Sequence, residues 1–169
     1  QAVRAHYIQG WLWGLPLEST PARGAWKADP RRAGPSGALA DIGTHAYQLI
    51  RYTTGLTPQE VSAQLQSLRS DRVLDDYGHV LVRFTGSILG SLTVSQITHG
   101  RLNDLTLEID GTQGSMTWKQ ETPNELVVRR FGEPVQVYER NPAADFTHAL
   151  AAAACRLPAG HPEAFFEAF

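Results

Sequence analysis

Asp41 and His45 stand four residues apart in a segment, residues 37–52, that concentrates more ionisable chemistry than any other part of the chain. On a helix at about 100° per residue, Ile42, Ala46, Leu49 and Ile50 fall on one apolar stripe. Asp41 and His45 then lie one above the other along its flank, and Gln48 and Tyr52 continue that flank. Three chemistries fit an acid and an imidazole so placed. They can be a satisfied polar edge of a core helix. They can share a cation, as in a metal-dependent hydrolase, although His6, His79, His99, His148 and His161 show no spacing that would supply further ligands. Or they can move a proton, since an imidazole oriented by a carboxylate is the usual general acid/base arrangement.

The elements that must hold this pair follow from the flanking residues. Ser36 reads as the N-cap of a helix running to Thr54, with Gly55 as its C-terminal stop. Gly43 inside that helix costs about 1 kcal/mol relative to alanine, so close approach of another group to its backbone is expected. Upstream, Val3 to Trp13 reads as a strand with Tyr7, Gln9, Trp11 and Trp13 on one face. Residues 14–36 are rich in Pro, Gly and Arg and form a long loop; such loops are usually functional or disordered, and Trp26 argues for packing.

After Pro58 the sequence predicts strands over residues 61–68, 78–84, 88–98, 104–110, 114–118, 125–131 and 134–138. The breaks between most of them are too short for parallel crossovers, so neighbours must be antiparallel. Residues 145–156 read as a short helix, and residues from Pro162 onward as the first turns of another. The expected fold is α+β: one domain with an open, mostly antiparallel sheet and helices on one face. The other face is mixed, suited to solvent or to a second copy.

Composition narrows the class. A chain of 169 residues with 42% hydrophobic residues and a net charge of −2 gives no reason to expect nucleic acid or a membrane surface. The apolar stretch 149–155 is too short to span a bilayer, no signal sequence opens the chain, and the single cysteine, Cys155, excludes an internal disulfide. A cytoplasmic protein is expected. The start at Gln1 and the stop at Phe169 inside a helix-like pattern suggest a piece of a longer protein.

The run Gly37-Ala38-Leu39-Ala40-Asp41-Ile42-Gly43-Thr44-His45 resembles the hallmark segment of the glucose-fructose oxidoreductase/inositol dehydrogenase/rhizopine catabolism (Gfo/Idh/MocA) family. The resemblance continues through Ser95-Gln96-Ile97, His99-Gly100, residues 107–118 and residues 160–169. It implies the C-terminal substrate-binding and oligomerising domain of a dehydrogenase for a sugar or cyclitol. The NAD or NADP would be bound mainly by an N-terminal Rossmann domain that this chain lacks; no Gly-x-Gly-x-x-Gly and no Glu-Lys-Pro occurs in it. In such enzymes the position of His45 takes the substrate hydroxyl proton, and that of Asp41 orients substrate or tunes the histidine and a lysine of the first domain. Gly43 would bring the helix backbone close to cofactor or substrate. Lys27 and Asp29 fall where related sugar dehydrogenases place hydroxyl-binding side chains.

Other candidates keep two readings. Trp11 can stack on a sugar face or cover the sheet; His161 can cap the last helix or reach the cleft. Arg31-Arg32 reads as a solvated pair and Cys155 as core. Beside the dehydrogenase reading stand two rivals: a non-catalytic module that dimerises through its sheet, and the metal-dependent hydrolase built on Asp41 and His45.

Overall fold

Alternation of apolar and polar residues along the strands builds one eight-stranded sheet. The computed structural model describes residues 1–14 and 29–141. Its strands are β1 (Ala2–Ile8), β2 (Pro58–Gln66), β3 (Tyr77–Phe84), β4 (Ile88–Ser95), β5 (Asp104–Asp110), β6 (Gly114–Lys119), β7 (Glu125–Arg130) and β8 (Gln136–Glu139). The order across the sheet is β2-β3-β4-β1-β5-β6-β7-β8. Every neighbouring pair is antiparallel except β1 and β4, which run parallel with Ile8 opposite Ser95 at their C-terminal ends. The expected meander is thus interrupted once: β1 inserts between β4 and β5.

One face of the central strands is core. Val3, Ala5 and Tyr7 of β1 align with Leu92 and Val94 of β4 and with Leu105 and Leu107 of β5. Val80, Val82 and Phe84 of β3 extend the same face. The helix lies across it, α2 (Thr44–Thr54) preceded by one wide π turn, Leu39–Gly43. Ile42, Ala46 and Ile50 are buried against the sheet, and Leu49 is partly buried, as the apolar stripe requires. Gly55 ends α2 in the left-handed conformation, φ 68°, with its N–H donating to the Arg51 carbonyl.

The opposite face carries the alternate residues and is mixed, with Leu81 and Leu89 exposed among charged side chains. Arg4 bridges Glu108 (3.1 Å) and Asp110 (2.7 Å), and Arg83 pairs with Glu60 at 2.7 Å. His6 meets the buried Asp104 at 3.2 Å, and Asp104 also binds Arg101 and the Thr106 hydroxyl. Burial alone would push the Asp104 carboxyl up; Thr106, His6 and Arg101 together hold it below the ordinary carboxylate range.

Several local expectations change. β1 ends at Ile8, so Tyr7, Gln9, Trp11 and Trp13 do not continue along one strand face. The cause is a crossing of backbones, because a Cβ on Gly10 would sit 2.4 Å from the Thr98 carbonyl oxygen. Ser36 is not the cap of the main helix. Its hydroxyl donates to Asp75, whose carboxylate also accepts from the N–H groups of Gly37 (2.7 Å) and Leu39 (2.9 Å). A residue far along the chain therefore satisfies the helix start. Within the expected loop, Pro30–Ala33 form a four-residue helix, α1, capped by Asp29. The helices expected over 145–156 and after Pro162, with Cys155, lie outside the described residues.

Candidate active site

Asp41 and His45 occupy the start of the long helix, one in the π turn and the other in the first turn of α2. Isolated π turns inside helices occur often at functional sites. This one stands above the C-terminal ends of β1 and β4, the single parallel pair among the described strands. In open sheets the carboxyl ends of adjacent parallel strands are where ligands commonly bind. Asp41 faces β4: its Oδ2 accepts a 2.8 Å hydrogen bond from Nε2 of Gln96, the residue directly after that strand. His45 faces β1, where its ring meets Tyr7 edge-on, centroids 6.2 Å apart at 70°. The helix thus lays its acid and its imidazole against neighbouring strand ends.

A chain of side-chain hydrogen bonds rigidifies the β1 side. The Tyr7 hydroxyl and the Gln9 amide both donate to Asn103 Oδ1, each at 2.7 Å, and Trp11 donates its indole N–H to Gln9 Oε1 at 2.8 Å. Two donors on one amide oxygen fill its acceptor capacity and fix the Tyr7 ring that packs on His45. The turn after β4 is joined to the same end. Gln9 donates its backbone N–H to Ser95 and accepts from Thr98, while Ser95 Oγ and Thr98 Oγ1 are 2.8 Å apart. Trp13 packs edge-on to His99, centroids 5.7 Å apart.

The residues predicted from sequence do not all converge here. Gln48 and Tyr52 leave the row: both are exposed, Tyr52 by 80%, so the polar flank contributes only Asp41 and His45. Asp29 spends its carboxylate on α1, accepting from Arg31 N–H at 3.0 Å and Arg31 Nε at 3.3 Å. The Arg31 backbone and side-chain donors hold its pKa below the ordinary value. Gly43 has a packing reason. A Cβ there would lie 2.6 Å from Leu39 and 3.3 Å from Val94, so glycine lets the π turn settle on β4. Trp11 stands at this end of the sheet, 42% exposed, with its indole N–H anchored. Lys27 and His161 lie outside the described residues.

Sequence reasoning gave no role to Gln96, Asn103 or Gln9. Each follows a strand end or sits in a turn, and its partner is remote in sequence (55 positions for Gln96 and Asp41), so no periodicity marks it. Among the described residues no three His, Cys, Asp or Glu side chains converge as metal ligands, so Asp41 and His45 find no third ligand there. Nor do those residues contain a glycine-rich phosphate cradle.

Comparison with known proteins identifies the family of this fold. A family model described as the GFO/IDH/MocA C-terminal domain matches residues 1–117. An uncharacterized oxidoreductase, YfiI, of Bacillus subtilis is 31% identical over the whole chain, which spans 43% of its length. Levoglucosan dehydrogenase of Pseudarthrobacter phenanthrenivorans is 31% identical over 75% of the chain, corresponding to 37% of that protein. The structure superposes on an inositol dehydrogenase homolog from Azotobacter vinelandii complexed with NAD+, with a TM-score of 0.89, 31% identity, and coverage of 99% of this chain and 43% of that one. The complex of the Azotobacter homolog with NADH and myo-inositol gives a TM-score of 0.82 and 29% identity, with coverage of 99% and 42%. The chain therefore spans under half the length of these relatives, and it belongs to the GFO/IDH/MocA family, whose C-terminal domain it matches.

Proposed function

We propose that this chain is the substrate-binding domain of an NAD-dependent oxidoreductase that moves a hydride between nicotinamide and a hydroxyl of a sugar or cyclitol. The observation that carries the reading is the placement of Asp41 and His45 at the adjoining ends of β1 and β4, in a domain whose relatives are named for inositol and levoglucosan. Bound nicotinamide would supply hydride acceptance, and a domain outside this chain would hold most of it. The Azotobacter complexes carry NAD+ and NADH, which favours NAD over NADP.

The residues of this chain do the proton work. His45, steadied by the Tyr7 ring, takes the proton of the substrate hydroxyl at an imidazole nitrogen. Asp41, held by Gln96, accepts from a substrate hydroxyl and fixes which carbon is presented for oxidation. Trp11 offers an apolar ring face at the rim of the same end. Association of copies through the open sheet face belongs to the same proposal, since Leu81 and Leu89 are 62% and 63% exposed there among ion pairs.

In the whole protein carrying this chain, His45→Ala and Asp41→Asn should each lower kcat/KM on a sugar or cyclitol by about a hundredfold or more, while nucleotide binding persists. Wild-type rates in both variants would overturn the assignment.

A further inference from the structure

Asp41 and Gln96 come from distant parts of the chain, yet one dipeptide anchors both. Asp75 holds the start of the helix that carries Asp41. Its carboxylate accepts from Ser36 Oγ, Gly37 N–H and Leu39 N–H, and its carbonyl accepts from Ala38 N–H at 2.8 Å. Gly37 is required for that contact, because a Cβ there would lie 2.3 Å from the Asp75 carbonyl oxygen. Asp76, the next residue, presents its carbonyl to the backbone N–H of Gln96 at 3.0 Å. It is itself fully buried, with its carboxylate bound by the N–H groups of Leu68 (2.8 Å) and Arg69 (3.0 Å).

The second backbone group of Gln96 is also engaged, its carbonyl accepting from Leu12 N–H at 3.0 Å. With both backbone groups tied and the side chain 5% exposed, the amide has little freedom to leave Asp41 Oδ2. The donor is neutral. An amide orients the carboxylate through a directed N–H bond and brings no charge of its own to the contact.

We propose that Gln96 is a positioning residue for Asp41, set in register by the Asp75-Asp76 dipeptide, and that through Asp41 it governs how substrate is presented. The proposal rests on the dehydrogenase reading above. A purely structural glutamine would cost stability when removed, but the loss of activity would not depend on what occupies position 41.

The test is a double-mutant cycle in the whole protein, with kcat/KM on a sugar or cyclitol substrate of the wild type as the readout. Gln96→Leu should lower kcat/KM about tenfold, and that loss should vanish when Asp41→Ala, which removes the acceptor, is already present. Gln96→Glu, close to isosteric, keeps the question open to test if the leucine variant does not fold. It sets carboxylate against carboxylate, a contact that holds only when the pair shares a proton, so its activity relative to wild type should rise toward acid pH. A tenfold loss of the same size in the Asp41→Ala background, or a Gln96→Glu pH profile parallel to wild type, overturns the proposal. His45→Ala serves as the control. Wild-type turnover in both His45→Ala and the Asp41 variant defeats the site reading on which the proposal rests, whereas loss in both beside additive Gln96 and Asp41 effects defeats the role of Gln96 alone.

Discussion

The two faces of the sheet are made by the same strands and do opposite work. On the covered face, Val3, Ala5, Tyr7, Phe84, Leu92, Val94, Leu105 and Leu107 meet Ile42, Ala46 and Ile50, and contact is apolar throughout. On the open face Arg4 pairs with Glu108 and Asp110 and Arg83 with Glu60, and the His6 ring lies 3.2 Å from Asp104. Burial of apolar area contributes most of the folding free energy, so the covered face holds the domain together. Exposed ion pairs contribute little, which leaves the open face to solubility and recognition. The candidate site borders the covered face and shares Tyr7 with it. It lies where the helix start passes over the strand ends, with its polar groups tied by hydrogen bonds that neither face needs.

Substitutions that invert this comparison should rank accordingly. Phe84 is fully buried at the end of β3, so Phe84→Ala should destabilise by about 3–5 kcal/mol, read from the denaturant midpoint at unchanged m-value. A loss under about 1 kcal/mol would mean that the covered face is not the main source of stability.

Asp104→Asn probes a buried carboxylate of the open face, and a cost of about 1–3 kcal/mol is expected at neutral pH. The folded-state pKa of Asp104 is lowered, so the unfolded chain binds its proton more readily. Its contribution is therefore fully present above the ordinary carboxylate value of about 3.9 and drains away as pH falls through the lower folded-state value. Wild type and variant should converge in stability on the acid side; a gap that stays constant with pH would contradict the pairing.

Arg4→Ala should have the smallest effect, under about 1 kcal/mol and shrinking further with added salt, because the side chain is 47% exposed. A larger, salt-insensitive cost measured in the whole protein would show that the open face is covered there.

The strands after Pro58 were legible because period-2 alternation and short Gly- or Pro-containing breaks are local signals. The observed β3 to β8 lie within a few residues of their expected spans. The apolar stripe of the long helix was legible for the same reason, through Ile42, Ala46 and Ile50. The position of β1 was not. Its length and composition say that it is a strand, but its place between β4 and β5 depends on long-range pairing. The end of β1 was misplaced because Gly10 yields to the backbone of Thr98, a neighbour that sequence order does not reveal.

The same division runs through the site. Sequence by itself determined that an acid and an imidazole share the start of a core helix, since four-residue spacing and an apolar stripe are properties of one short segment. Tertiary structure decided what they face. The π turn settles on β4 through Gly43, Asp75 caps the helix from another part of the chain, and Gln96 and Tyr7 reach Asp41 and His45 from two strand ends. Those contacts join residues separated by tens of positions, and only the closing of the sheet around β1 brings them within hydrogen-bond reach.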